Sequence, residues 1–176
     1  MSNSTPVFSA THIGQKLIKA TPSTRQEYND FRGWVLPDNE HKLGSVAGYT
    51  VEYEPHPTST PNVEGYAGYI SWSPKAVFDG AYKPLDAMTF GDAITMLKRG
   101  HKVARNGWNG KGMWIILNKG RVVENLEPNS FYERCGFEAP VVIQDHIDMK
   151  AADGSMVVGW LASQTDMLAE DWVIVD

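Results

Sequence analysis

The chain has 176 residues, of which 42% are hydrophobic and 21% charged, and its formal net charge is −5. This composition excludes bulk disorder, and the acidic balance argues against a DNA or RNA backbone as the partner. No apolar run approaches the roughly 18 residues of a membrane span, and the first residues lack the basic start and apolar core of a signal peptide. The length allows one domain or two compact ones.

The first part of the chain predicts a small α+β domain over residues 13–84, preceded by a Ser/Thr-rich tail at 1–12. Alternating apolar residues indicate strands, and proline, serine and glycine mark the helix ends. The predicted elements, in the order β-α-β-β-α, are a strand at 15–20, a helix opened by Thr21-Pro22-Ser23 and ended by Gly33, strands at 48–53 and 68–72, and a helix capped by Ser73-Pro74 that runs to Tyr82. The residues between the first helix and the second strand are predicted to be a loop.

A proline-containing segment at 82–88 predicts the boundary of a second domain at 88–176. That domain opens with the clearest helix in the chain, 89–99, where Thr89 and Asp92 resemble a capping box. Further predicted elements are strands at 102–105, 113–117, 140–149, 156–161 and 172–175, an irregular stretch at 118–139, and a hairpin turn at Asp153-Gly154. We therefore predict an α+β protein of two small domains, the second an N-terminal helix packed on a mostly antiparallel sheet.

The sequence carries no P-loop, no G-x-S-x-G motif and no H-E-x-x-H motif. His146 and Asp148 share one face of a predicted strand, so they form either half of a metal site or a polar strand face that makes hydrogen bonds; we favour the second. Cys135 has no activating base nearby and is predicted to be a small buried residue. We therefore predict a protein that is not an enzyme and holds no cofactor or metal.

A glycine-rich loop at 107–112 carries Trp108 and Asn109 between two predicted strands. Glycines allow backbone amides to approach a ligand closely, so two structures are open: a hairpin turn with Trp108 folded onto the core, or a platform on which a base stacks. In the second case the amides, Asn109 and Lys111 would contact phosphate and ribose oxygens. Of the six tryptophans, Trp108 and Trp160 are the ligand candidates, and the other four are assigned to the core.

A polar cluster follows Trp160 at a strand exit and consists of Ser163, Gln164, Thr165 and Asp166. These side chains either cap the turn that follows or present donors and acceptors to a sugar or base edge. In the second case they would confer specificity, because a buried group left unpaired costs about 1–3 kcal/mol.

Four stretches of the second part resemble the Thoeris anti-defence two family of phage proteins: MTFGDA at 88–93, VARNGWNGKGM at 103–113, GWLASQTDM at 159–167 and AEDW at 169–172. The segment at 120–140 departs from that family because it is longer than expected. The resemblance implies a binding module without catalysis that acts in the cytoplasm of an infected bacterium. Such proteins sequester the cyclic ADP-ribose isomers made by bacterial TIR immune enzymes, and some also hold cyclic di- or oligonucleotides.

The resemblance also implies ligand residues and an assembly. Trp108 and Asn109 match the family's pocket tryptophan and asparagine, so we expect the stacking role for Trp108. The remaining candidate residues are Phe90, Arg105, Met113, Trp160, Ser163, Thr165 and Asp166. The implied partners are a small cyclic nucleotide and further copies of the chain. These copies would form a homo-oligomer (dimer or tetramer) that holds the ligand near subunit interfaces. The resemblance implies no binding of DNA, RNA or a membrane.

Two alternatives to sequestration stay open. One is an enzyme that degrades the signal with His146 and Asp148, and the other is a phage assembly or host-interaction module without a ligand. The first part of the chain resembles another small phage module, for which no activity is assigned. Its aromatic residues indicate a core at strand spacing, with a second ligand surface or an oligomer contact as the alternative.

Overall fold

The computed structural model describes residues 14–108 and 111–175, and the chain divides into two compact units between Tyr82 and Lys83. The fold is α+β with mostly antiparallel sheets, which confirms that part of the predicted fold class. The predicted tail at 1–12 lies outside the described residues. Within them, no helix is long and apolar enough to cross a membrane.

The first unit is built on a three-stranded antiparallel sheet in which the second strand lies in the middle. Its described elements are β1 (Ile18–Thr24), α1 (Arg25–Arg32), a 3₁₀ helix (Asp38–Leu43), β2 (Ala47–Tyr53), β3 (Ile70–Pro74) and α2 (Lys75–Ala81). This order confirms the predicted β-α-β-β-α arrangement and adds the 3₁₀ helix within the predicted loop.

The start of α1 differs from the prediction. Thr21–Ser23 continue β1 and pair with β2, because the sheet satisfies their backbone groups better than a helix without a preceding cap. Helix α1 begins at Arg25, where Thr24 and Glu27 form a reciprocal capping box. Its predicted end is confirmed: Gly33 follows the helix at φ 66°, in the left-handed region that favours glycine.

Helix α2 also begins differently from the prediction. Ser73 belongs to β3, where it pairs with Tyr49, and the residue before the helix is Pro74, which offers no capping side chain. Pro74 has φ −57° and ψ 142°, so its backbone is still extended and the helix begins at Lys75. The helix therefore starts without a serine cap.

The two helices of the first unit lie on opposite faces of the sheet. Phe78 of α2 stacks on Tyr49 with 4.1 Å between ring centres, whereas Arg25 of α1 lies 5.7 Å from the ring centre of Trp72 on the other face. Trp34, expected in the core, is 51% exposed, which corrects the prediction. Its indole is covered on one side by the guanidinium of Arg32, 4.3 Å from the ring centre, so a cation takes the place of apolar packing.

The second unit contains α3 (Phe90–Lys98), β4 (Lys102–Arg105), β5 (Trp114–Asn118), β6 (Arg121–Val123), α4 (Phe131–Arg134), β7 (Val141–Ile143), β8 (His146–Lys150), β9 (Met156–Val157), α5 (Gln164–Met167) and β10 (Trp172–Val175). Five of these strands form an antiparallel sheet in the order β10-β4-β5-β8-β9, and β6 pairs with β7 in a separate sheet. The C-terminal strand therefore lies beside β4, far from β9 along the sheet.

Helix α3 confirms its sequence prediction. The hydroxyl of Thr89 accepts the N–H of Asp92, and the Asp92 carboxylate accepts the N–H of Thr89 at 3.0 Å, so the capping box is complete. The helix contacts β4 and β10, and its buried apolar face consists of Ala93, Met96 and Leu97. This packing places the beginning of α3 beside the beginning of β10.

Other predictions for the second unit are corrected. Residues 140–149 form two strands, because β7 pairs with β6 and β8 pairs with β5, and the chain must turn at 144–145 to change sheets. Strand β9 has only two residues, and the predicted irregular stretch 118–139 contains β6 and α4. Cys135 is exposed, because it follows the one-turn helix α4 at the surface. The Asp153-Gly154 turn is confirmed by the pairing of β8 with β9.

Gly48 provides a test of the first unit. A Cβ at this position would meet the carbonyl oxygen of Ser73 and the ring of Trp72 at less than van der Waals distance. We expect Gly48→Ala to lower the free energy of unfolding by about 1–3 kcal/mol, because backbone cannot move aside without breaking the β2–β3 pairing. Urea denaturation of the full chain measures the change.

The control for that measurement is Gly80→Ala. Gly80 lies in α2 with no heavy atom within 4 Å of an added Cβ. Alanine there should be neutral or stabilise the protein by up to about 1 kcal/mol, because it restricts the unfolded chain and favours the helix. Equal losses of stability in the two variants would contradict the close packing assigned to Gly48.

Candidate ligand site

Three tryptophans of the second unit contact one another edge to face, and we call them the tryptophan cluster. The ring centres are 5.3 Å apart for Trp108 and Trp172, 6.0 Å for Trp108 and Trp160, and 6.4 Å for Trp160 and Trp172. Trp172 is fully buried, whereas the other two are half-buried. Phe90 of α3 extends the cluster, with its ring centre 5.4 Å from that of Trp172.

The backbone positions each member of the cluster. Trp172 opens β10 opposite Arg105, the last residue of β4, and its N–H and C=O both bond to Met88. The N–H of Trp108 bonds to the carbonyl of Arg105 at 3.1 Å in the turn that follows β4. The N–H of Trp160 bonds to the carbonyl of Ile147 in β8 at 2.7 Å. The sheet therefore brings together three rings that are distant in sequence.

A second set of contacts, which we call the Arg105 network, lies beside these rings. The guanidinium of Arg105 donates to Asp171 through Nε at 2.8 Å and to Asp166 through Nη1 at 2.9 Å. Asp171 also accepts the backbone N–H of Gly107 at 2.8 Å. Because Arg105 is largely buried, these charge-assisted bonds tie the beginning of the glycine-rich loop to α5 and to the segment that follows it.

Asp166 is the residue that joins the network to the cluster. Its Oδ1 accepts the indole N–H of Trp108 at 3.2 Å as well as the bond from Arg105. Its Oδ2 accepts the hydroxyl of Ser163 at 2.6 Å and the Ser163 N–H at 3.1 Å, which completes the capping box of α5. The backbone carbonyl of Asp166 accepts the indole N–H of Trp172 at 3.0 Å. One residue thus orients two of the three indoles.

The charges of the network stabilise one another. Burial by itself would raise the pKa of Asp166, but hydrogen bonds from Ser163, Arg105 and Trp108 outweigh it and lower the pKa below its ordinary value. The pKa of Asp171 is lowered mainly by its bond from Arg105. Both carboxylates raise the pKa of Arg105 in turn. The three groups therefore remain ionised at neutral pH and carry one net negative charge.

Comparison with known proteins identifies the family to which the second unit is similar. Residues 88–175 match a family model described as the Thoeris anti-defense 2-like domain. A protein named Thoeris anti-defense 2, from Bacillus phage SP01, is 40% identical over 88 residues, which are 50% of this chain and 94% of that protein. The chain belongs to this family. Membership confirms the resemblance found in the sequence and assigns the protein to phage anti-defence.

In this Thoeris anti-defense 2-like protein, the structure brings most of the predicted site residues together. The cluster and the network contain Phe90, Arg105, Trp108, Trp160, Ser163 and Asp166. Thr165 adds a hydrogen bond between its hydroxyl and that of Ser163 at 2.8 Å. Met113 lies half-buried just before β5, and Asn109 lies outside the described residues.

The structure also bears on the alternatives left open by the sequence. Trp108 packs against Trp160 and the buried Trp172, as expected for a folded turn, yet the residue stays half-buried. Ser163 caps α5, as the structural interpretation of the polar segment predicts. Contact of these residues with a ligand remains a prediction.

Sequence reasoning missed Asp171 and the position of Trp172. Asp171 supplies the stronger partner of Arg105, and Trp172 lies at the centre of the aromatic contacts. A signal was present: an arginine at the end of a half-buried strand requires a carboxylate, and Asp171 immediately precedes a predicted strand. Only the pairing of β10 with β4 shows that the two residues meet.

His146 and Asp148 lie on the same face of β8, as predicted, with 3.5 Å between the imidazole Nε2 and the carboxylate. The buried carboxylate also accepts the amide of Asn118 at 2.8 Å and the N–H of Gly159 at 3.2 Å. These bonds join β5, β8 and the chain after β9. Within the described ranges, no group of three or more His, Cys, Asp or Glu side chains is arranged to hold a metal ion.

The Arg105 network predicts acid sensitivity. Asp166 and Asp171 have folded-state pKa values below the unfolded value of about 3.9, so their stabilisation is present above about pH 4 and is lost as the pH falls through the lower folded pKa. We expect Asp171→Asn to lower the free energy of unfolding by about 1–3 kcal/mol at pH 7 and to weaken its dependence on pH between 5 and 2. Denaturant unfolding across this range measures both effects.

Glu170→Gln is the matched control, since Glu170 is the exposed neighbouring carboxylate and lies outside the network. This variant should retain the stability of the wild type at pH 7 and most of its pH dependence. An Asp171→Asn protein as stable as the control would show that the bonds to Arg105 do not stabilise the unit.

Proposed function

We propose that this phage anti-defence protein sequesters a cyclic nucleotide immune signal and does not cleave it. The proposed signal is a cyclic ADP-ribose isomer of the Thoeris type, with cyclic di- or oligonucleotides as a second ligand class. The observation that carries the proposal is the fixed orientation of Trp108, whose ring contacts Trp160 and Trp172 and whose indole N–H is held by Asp166.

A half-buried ring held in one orientation suits base stacking. Trp108 does not have to be ordered when a base binds, because its edge contacts and its bond to Asp166 already hold it. Stacking on an aromatic ring contributes about 1–3 kcal/mol per base and tolerates different bases. Preorganisation of this kind favours tight binding and slow release, which a sequestering protein requires.

Positive charge for the ligand phosphates is available beside the loop. Lys111 is exposed within it, and the Nζ of Lys150 bonds to the carbonyl of Gly112 at 3.0 Å. The Arg105 network cannot supply this charge, because its two carboxylates exceed its single guanidinium. We therefore assign phosphate contact to the lysines and a positioning role to Arg105 and Asp166, while Asn109, Met113 and Thr165 stay candidate ligand residues.

Under this proposal, His146 and Asp148 do not catalyse degradation of the signal. Asp148 accepts bonds from Asn118 and Gly159 in addition to its contact with His146, so its oxygens already connect parts of the sheet. A general base must reach the proton that it removes, and a carboxylate engaged in this way would first have to break structural bonds. Sequestration requires no such step.

We further propose that the protein acts as a homo-oligomer in the cytoplasm of the infected bacterium, with the ligand near subunit interfaces. Leu161 and Leu168 lie on the two sides of α5, close in sequence to Ser163 and Asp166, and both side chains are largely exposed. Exposed apolar side chains next to a candidate site favour burial against another copy of the chain. Size-exclusion chromatography with and without ligand tests the assembly.

Recovery of the ligand tests sequestration directly. The protein is incubated with a cyclic ADP-ribose isomer made by a TIR enzyme, separated from free ligand, and denatured by heat. We expect intact ligand to return in full, because binding breaks no covalent bond. Mass spectrometry of the released material distinguishes this result from linear products, which would instead support a signal-degrading enzyme.

Substitution of Trp108 tests the position of the site. Trp108→Ala should remove the increase in melting temperature that the ligand produces, whereas Trp108→Phe should retain part of it because a phenyl ring can still stack. Trp114→Ala is the matched control: Trp114 is a half-buried tryptophan in β5, with Lys102 over its ring and outside the cluster. Each ligand-induced shift is compared with the same variant without ligand. Full retention of the shift in Trp108→Ala would show that the site lies elsewhere.

A further inference from the structure

The first unit contains a groove of about 580 Å³ that lies outside residues 88–175, which the family comparison covers. We call it the tyrosine groove. It lies at the end of β2. The lining residues that determine its chemistry are Lys16, Tyr53, Glu54, His56, Tyr69 and Ser71. Its volume is in the range that small-molecule sites occupy.

Two tyrosine rings form one side of the groove. Their centres are 6.5 Å apart and their planes are inclined by 46°, and the N–H of Tyr53 bonds to the carbonyl of Tyr69 at 3.0 Å. Tyr53 is half-buried and its hydroxyl pairs with Tyr82, whereas Tyr69 is 49% exposed. The groove thus offers one anchored ring and one open ring surface for a flat ligand.

A cation lies at the same place. The Nζ of Lys16 is 5.0 Å from the ring centre of Tyr53, and this cation–π contact is its only interaction among the described residues. No carboxylate of residues 14–108 or 111–175 forms an ion pair with it. An ammonium group held beside a groove and outside any ion pair with the described residues is available to an anionic ligand group.

Other polar groups line the same groove. His56 is held by Thr58, whose hydroxyl lies 2.8 Å from the imidazole Nδ1 and whose N–H donates to it at 3.3 Å. The Ser71 hydroxyl, half-buried in β3, has no partner among the described residues. Glu54 also lines the groove, but it already has an interaction and is not assigned to the ligand. Ser71 therefore adds a hydroxyl donor to the ammonium group of Lys16 in the same groove.

We propose that the tyrosine groove binds a small ligand of the nucleoside monophosphate class. The heteroaromatic ring stacks on Tyr69, and the phosphate pairs with Lys16. A cationic ligand such as a polyamine fits less well, because it would have to displace the ammonium of Lys16 from Tyr53. This site is separate from the one proposed in the second unit and does not depend on it.

The test is calorimetric titration of the full chain with adenosine 5′-monophosphate, with adenosine and spermidine as comparison probes. Binding of the monophosphate should be the same in wild type and Trp108→Ala. Tyr69→Ala should weaken it by about tenfold or more, because stacking is lost. Lys16→Gln should weaken the monophosphate several-fold and leave adenosine unchanged, since adenosine carries no phosphate.

Two matched controls lie in the same unit outside the groove. Tyr66→Ala removes another exposed tyrosine, and Lys19→Gln removes an exposed lysine that pairs with Glu52. Both should bind the monophosphate as the wild type does. Because Lys16 is exposed, its substitution keeps the test valid even if Tyr69→Ala fails to fold.

Each of four results would overturn the proposal. These are no binding of the monophosphate at millimolar concentration, equal effects of groove and control variants, loss of binding in Trp108→Ala alone, and tighter binding of spermidine that is abolished by Glu54→Gln. The third result would move the monophosphate to the second unit, and the fourth would make the groove a cation site.

Discussion

The bonds between Arg105 and its two carboxylates are the constraint on which the second unit depends. Arg105 ends β4, Asp166 lies in α5 and Asp171 precedes β10, so one guanidinium joins the end of β4 to two neighbouring segments more than 60 residues later. A largely buried arginine without such partners would destabilise the fold by several kcal/mol. With them, the end of β4, the start of the glycine-rich loop and the entry to β10 hold one arrangement.

The tryptophan cluster follows from that arrangement. Arg105 and Ser163 together hold the carboxylate of Asp166, which accepts the indole N–H of Trp108. The backbone carbonyl of Asp166 also orients Trp172. The aromatic contacts and the ionic contacts therefore stabilise each other across a short distance. For a protein proposed to hold a nucleotide without changing it, rigidity of this kind supplies affinity, because little conformational entropy is lost on binding.

Much of the fold was predictable from local signals. The capping box of Thr89 and Asp92 starts α3 as predicted. The glycine after α1 ends that helix as predicted. Two wrong predictions of secondary structure have a common cause. Thr21–Ser23 belong to a strand, and residues 140–149 are divided between two sheets. In both cases the backbone groups pair with partner strands that no local sequence pattern reveals. Cys135 was misplaced because residue type alone does not show on which side of a one-turn helix a side chain emerges.

For the site, the sequence by itself determined the residue types: a glycine-rich loop that holds Trp108, a serine three residues before Asp166, and an arginine at a strand end. It also determined the family, through motifs whose order and spacing are specific. Only the tertiary structure decided that Asp171 is the main partner of Arg105 and that Trp172 contacts both other rings of the tryptophan cluster. The physical reason is that the contact of Arg105 with Asp171 and that of Trp108 with Trp172 each span more than 60 residues. They exist because β10 pairs with β4, the first strand of the unit.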